Sequence, residues 1–295
     1  MQKNGGTEAV RRQSKLVIGP WNHSGLGNRK TGEIDFGPQA EFDLQHMMIR
    51  WFDHWLKDMD DGISNEPAVR YFVMGSGKWK NAATWPPEKL EEVTHYLQGA
   101  QLLGPTASNT GSDTYCYDPA DPMPTLWTPE MFTVPADRRL VAHRKDALIY
   151  RTPPLVEAIE IAGYPEVILF ASSSAVDTDF FARLVDESPD NGQALEICYG
   201  MVRARHRSGL EREDFLTPGE VVEYRIRLGA TACRFLKGHR IRLEITSSDY
   251  PNHDRNHNTG KNDLVDIELV TATQTVHYGR TRQSHLILNV DLAKD

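Results

Sequence analysis

Cysteine is scarce: Cys116, Cys198 and Cys233 are the only three among 295 residues, odd in number and far apart. That usage excludes a disulfide-stapled scaffold and predicts small, buried thiols in a reducing compartment. Long apolar runs are missing too, so nothing approaches the roughly 20 residues of a membrane-spanning helix. The polar stretch Met1 to Gln13 also lacks the apolar segment of a secretory signal. The expected location is therefore the cytoplasm, with no membrane partner. Positive charge is in deficit: the net charge is -8, and no long basic run exists to serve a nucleic acid or an anionic surface. What is present, 39% hydrophobic and 25% charged residues, is the composition of a globular protein with a real core. The length suits two domains, since single cores stop growing near about 250 residues.

The apolar run Lys15-Leu-Val-Ile-Gly19 ends at Gly19 and Pro20, as a buried strand does where it meets a loop. Beyond that loop, Leu44, Met47, Met48, Trp51, Trp55 and Leu56 recur with the helical period and predict an amphipathic helix from about Glu41 to Lys57. From Pro67 the helical period gives way to short β-branched or aromatic runs: Val69 to Met74, Thr94 to Leu97, Ala147 to Tyr150, Val156 to Ala162, Val167 to Ser172, Phe180 to Asp186, Ala194 to Arg205, Glu220 to Leu228, Arg240 to Thr246 and Ser284 to Val290. About ten strands with irregular loops predict a mainly β protein, an antiparallel sandwich or jelly roll. The expected domains are 1–62, holding strand, loop and helix, and 66–295, holding the sandwich. One strand and one helix cannot enclose a core, so a further N-terminal portion is expected.

His23 follows the apolar strand and precedes the amphipathic helix, the position in which α/β-type hydrolases keep their general base. The segment Lys15-Leu-Val-Ile-Gly-Pro-Trp-Asn-His-Ser-Gly25 resembles the histidine motif of the CocE/NonD family of α/β-hydrolases, relatives of cocaine esterase, α-amino-acid ester hydrolase and X-Pro dipeptidyl-peptidase. The resemblance continues in Trp51-Phe-Asp-His-Trp-Leu-Lys57, Val69-Arg-Tyr-Phe-Val-Met-Gly75, Tyr115-Cys-Tyr-Asp-Pro-Ala-Asp-Pro122, Ser172-Ser-Ser-Ala-Val-Asp-Thr-Asp-Phe180 and Asp254-Arg-Asn-His-Asn-Thr-Gly260. These landmarks keep the family's order over nearly the whole chain.

The resemblance implies the C-terminal part of such an enzyme: the last strand, histidine loop and helix of an incomplete α/β-hydrolase domain, then a jelly-roll, galactose-binding-like sandwich. It implies attack of a serine on an acyl ester or peptide-like amide, a covalent acyl-enzyme, no cofactor, and His23 as the triad histidine. The nucleophile elbow Gly-x-Ser-x-Gly is absent, and its nearest imitation, Gly75-Ser-Gly77, has the wrong flanks. The triad aspartate precedes the histidine in this family, so neither Asp35 nor Asp43 inherits that role. The chain by itself is expected to be inactive.

Other residues carry weaker signals. Trp21 is either a wall of the substrate pocket or packing beneath the loop, and Ser24 reads as a loop hydrogen-bonder. His253, Asp254, His257 and Asp263 crowd one polar loop that reads as a hydrogen-bonded staple, not a metal site. Asp177 and Asp179, close enough to share a proton or a cation, read as turn and interface residues. Trp51 and Trp55 read as core, while Trp79, Trp85 and Trp127 could also stack on a substrate ring. Two alternatives stand beside the hydrolase reading: a non-catalytic binding module, and one half of a split hydrolase whose exposed helix face docks an N-terminal portion or drives oligomers.

Overall fold

The structure is a computed structural model that describes residues 3–32, 34–126 and 136–292. Trp127 lies outside them. The chain is mainly β, with a large β-sandwich preceded by a small sheet, the histidine loop and a helix.

In the small sheet Leu16–Ile18 runs parallel to Val69–Val73, with Leu16 opposite Val69 and Ile18 opposite Tyr71. Val69–Val73 then turns through Gly75 and Gly77, both at positive φ, into the antiparallel Lys78–Ala82. This sheet spans the composition break at residues 62–66. It is tied to the sandwich at Met74, whose N–H donates to Ala232 O (3.0 Å) and whose carbonyl accepts from Arg234 N (2.8 Å). Gly75 is required there, because a Cβ would lie 2.3 Å from the carbonyl oxygen of Arg234. Val69, Tyr71 and Val73 pack on Ala162 and Ala232 to form a satellite core beneath the junction.

One layer of the sandwich runs Ala194–Arg203, Asp179–Glu187, Arg240–Thr246, Ala147–Arg151, each antiparallel to the next. The other places Glu91–Gln98, His285–Asp291, Glu166–Ser173, Ala272–Tyr278 and Gly111–Tyr117 side by side. Phe180, Leu184, Leu243 and Ile245 from the first layer meet Leu169 and Leu286 from the second, and Tyr224 and Ile226 from Val222–Arg227, which pairs antiparallel with Glu166–Ser173, in a single buried cluster. Alternation along Val222–Arg227 and Ala272–Tyr278 delivers these inward residues, as expected for sheets with one wet face.

Two local readings need correction, and one element was not foreseen. The helix spans Leu44–Lys57, not from Glu41, because the Asp43 carboxylate accepts from His46 N at 2.8 Å and caps it. A short helix, Glu8–Gln13, capped by Thr7, occupies the polar start. Cys198 and Cys233 are buried, but Cys116 is exposed, since it falls on the outward side of the alternating strand Gly111–Tyr117.

No residue of the helix Leu44–Lys57 is buried, Trp51 and Trp55 included, although both read as core. Met48, Ile49, Phe52, Trp55 and Leu56 are all exposed, a contiguous apolar stripe at helical spacing. The chain is therefore expected to bind a hydrophobic dye and to self-associate in light scattering. Ile49→Lys with Leu56→Lys should suppress both while leaving the melting temperature in place.

His95, on Glu91–Gln98, sits with its Nδ1 buried and without a partner among the described residues. Burial holds its pKa below the ordinary 6.5. The folded state then binds fewer protons than the unfolded chain, so stability is full above pH 6.5 and falls as pH drops through 6.5 toward the depressed value. The slope is at most about 1.4 kcal/mol per pH unit for one such group. Denaturant midpoints at pH 7.5 and 5.5 check this, and His95→Gln should flatten the difference.

Candidate functional site

The apolar strand Leu16–Ile18 ends at Gly19, where a Cβ would lie 2.4 Å from the Trp21 ring; only glycine lets that indole fold back over the strand end. Pro20 is fixed through its carbonyl, which accepts from the buried Thr31 Oγ1 at 2.8 Å. Trp21 donates from Nε1 to Ala40 O (3.2 Å), and Trp79 donates from Nε1 to Gln39 O (2.7 Å). The rings of Trp21, Phe42 and Trp79 meet pairwise at 5.2 to 5.8 Å, and Phe72 stands edge-on to Trp79 at 5.4 Å. The Arg70 guanidinium lies 5.2 Å from the Phe42 ring and 5.3 Å from that of Trp79. Strand end, loop and hairpin are thus clamped into one aromatic box.

His23 opens the short 3₁₀ turn His23–Gly25 just beyond that box and is exposed. The loop closes on itself through Asn28 N to Gly25 O and Phe42 N to Gly27 O, both 2.9 Å. An imidazole held at the C-terminal end of a strand on a braced loop is reachable from outside, which proton transfer to or from a bound reactant requires. Asp35 is committed to Arg29 at 3.1 Å, and Asp43 to the helix cap. Ser76 donates to Val73 O at 3.1 Å within the hairpin turn, the bond of a turn former.

Ser172 Oγ lies 3.1 Å from His277 Nε2, a pairing that sequence reasoning missed. Burial and the charge of Arg282 hold the His277 pKa down, so this imidazole is a poor base for that hydroxyl.

The loop read as a hydrogen-bonded staple and the pair Asp177 and Asp179, read as turn and interface residues, meet in a buried clasp. Asn256 donates from Nδ2 to Asp177 Oδ2 (2.8 Å) and Asp179 Oδ1 (3.0 Å). Arg203 grips Asp179 with two bonds of 2.9 and 3.0 Å and pairs with Asp263 at 2.9 Å, while His257 N donates to Asp263 Oδ1. Burial raises the carboxyls of Asp177 and Asp179, opposed by Asn256 and by Arg203 and Arg205. His253 turns away to Tyr199 OH at 3.1 Å, and Asp254 is exposed. Among the described residues, no three His, Cys, Asp or Glu side chains group as metal ligands. Trp85 packs against Tyr71 in the satellite core. Of the box, Phe42 carried no sequence signal of its own, because its ring partners Trp21 and Trp79 lie 21 and 37 residues away.

Residues 61–287 match the family model of the X-Pro dipeptidyl-peptidase C-terminal non-catalytic domain. Cocaine esterase of Rhodococcus sp. (strain MB1 Bresler) is 39% identical over 298 residues, covering 94% of this chain and 51% of that protein. An aminopeptidase from a marine sediment archaeon, Thaumarchaeota archaeon, superposes with a TM-score of 0.86 at 29% identity, over 94% of this chain and 49% of that one. An α-amino acid ester hydrolase superposes at 0.82 with 28% identity, over 96% and 51%. The chain spans about half the length of the curated relatives it matches.

Proposed function

We propose, for a chain that belongs to the CocE/NonD family of α/β-hydrolases and carries its X-Pro dipeptidyl-peptidase C-terminal non-catalytic domain, that it is the C-terminal portion of a serine hydrolase. In this reading the enzyme cleaves small acyl esters or peptide-like amides through an acyl-enzyme. His23 takes the proton of a serine carried on another segment, and later returns one to the leaving group. The single observation that supports this most is the setting of His23: exposed, at the end of a parallel-paired strand, on a loop clamped by Trp21, Phe42 and Trp79. Trp21 forms part of the substrate pocket, and the sandwich, of jelly-roll and galactose-binding-like type, braces the histidine segment through Met74 and Gly75.

A general base without its nucleophile has nothing to activate. A fluorophosphonate probe is therefore expected to leave this chain unlabelled, Ser172 included. Stoichiometric labelling of the chain alone, mapped by peptide mass, would overturn the assignment of the nucleophile to another segment.

A further inference from the structure

The small sheet has two working faces. Its register sets Tyr71 opposite Lys80 and Phe72 opposite Trp79. Phe72 and Trp79 stand on the face that clamps the histidine loop, whereas Tyr71, with Val69 and Val73, stands on the face that packs on the sandwich. Alternation along Lys78–Ala82 therefore sends Lys80 to the sandwich side, back to back with Trp79. There Glu160, on the strand Ile159–Gly163, lies directly opposite Asp291, on His285–Asp291, a pairing of like charges that is destabilising by itself. Lys80 brings the counter-charge from across the junction: its Nζ lies 2.5 Å from Glu160 Oε1 and donates to Asp291 Oδ2 at 3.0 Å. Arg234 stands farther off, 3.9 Å from Glu160. The side chains of Lys80, Glu160 and Asp291 are only 23, 10 and 15% exposed. Burial disfavours the ammonium, but the two carboxylates outweigh it and hold the Lys80 pKa above the ordinary 10.5.

We propose that Lys80 is a positioning residue, whose ammonium latches the small sheet, and with it the histidine loop, onto the acid pair of the sandwich. Charge-assisted bonds of this kind are about twice as strong as neutral ones, and losing them leaves two carboxylates facing each other at the seam. The junction then opens where Met74 meets Ala232 and Arg234, while the sandwich core stays closed. The value of the latch for catalysis rests on His23 being the base; its existence does not.

Amide hydrogen exchange of the whole chain, read by NMR at Met74 and Arg234, tests it, because the N–H groups of these two residues make the junction bonds. Lys80→Met keeps the stem and removes the charge. It should speed exchange at both amides about 10- to 100-fold, the worth of a charge-assisted hydrogen bond, and leave Leu243 and Ile245 in the main core as they were. Lys80→Arg should restore slow exchange, a rescue that stem packing alone does not predict. Glu160→Gln with Asp291→Asn removes the acid pair from the sandwich side at constant shape and should match Lys80→Met. Unchanged exchange in Lys80→Met or in the acid-pair variant, a rise that spreads equally to Leu243 and Ile245, or no rescue by Lys80→Arg would each overturn the proposal. None of these readings involves His23, so a failed latch is told apart from a failed assignment of the base.

Discussion

Arg183→Leu is expected to destabilise the protein by about 3–5 kcal/mol, the usual consequence of removing one partner from a buried charge cluster. Arg183 is 1% exposed on the strand Asp179–Glu187. Its Nε stands 3.2 Å from Glu196 Oε2, its second amino group 2.9 Å from Asp249 Oδ1, and its first donates to Thr246 Oγ1 at 2.8 Å. The Phe181 and Tyr199 rings flank the guanidinium at 5.3 and 5.9 Å. Leucine fills part of the space but leaves Glu196 and Asp249 as buried carboxylates facing each other. They must either stay charged with less compensation, Glu196 keeping only the field of Arg138, or take up protons. The loss should appear as an earlier urea midpoint and should shrink at low pH, where those carboxyls protonate. The triple change Arg183→Leu, Glu196→Leu, Asp249→Leu should recover much of the loss, since apolar replacement of a whole buried ion cluster is often near neutral. If the single change is silent, the cluster is not what holds the two neighbouring strands in place.

That cluster also marks where sequence reading stops. Strands such as Phe180 to Asp186 and Arg240 to Thr246 announce themselves by β-branched and aromatic runs, and the observed Asp179–Glu187 and Arg240–Thr246 agree. The strands Lys78–Ala82, Thr231–Phe235 and Ala272–Tyr278 were not read, because Lys, Asn, Gln and Thr dilute their pattern and pairing supplies the order that propensity does not. Arg138, Arg183 and Arg242 look like solvent-facing positions in the sequence, yet all three are buried, each ion-paired with an acid on another element or two residues along. Pairings such as Arg138 with Glu244, 106 residues apart, have no local signature. The histidine loop was legible because an apolar strand runs straight into Gly19-Pro20 and an amphipathic helix follows later in the chain. Its bracing was not, because Trp79 reaches Gln39 across 40 residues and Phe42 meets Trp79 across 37.

In the serine hydrolase proposed above, His23→Ala is expected to lower kcat by about 10⁴- to 10⁶-fold with little change in KM, because the base acts in the transition state and contributes little to binding. The structure separates this from a loss of fold: His23 is exposed on the turn His23–Gly25, so its truncation removes no core packing and should leave the melting temperature where it was. Trp79→Ala probes the support. Trp79 anchors the loop through Gln39 O and meets the Trp21, Phe42 and Phe72 rings, so its removal loosens the clamp two residues before the imidazole. A displacement of about 1 Å at a reacting group costs on the order of 10²-fold in rate, and that drop in kcat is the expected reading for Trp79→Ala. Trp79→Phe, which keeps an aromatic face but loses the bond to Gln39, should fall between the unmodified chain and Trp79→Ala. Full activity in His23→Ala would remove His23 from the chemistry. An equal loss in Trp79→Ala and Trp79→Phe would show that the indole hydrogen bond, not the ring stack, sets the loop.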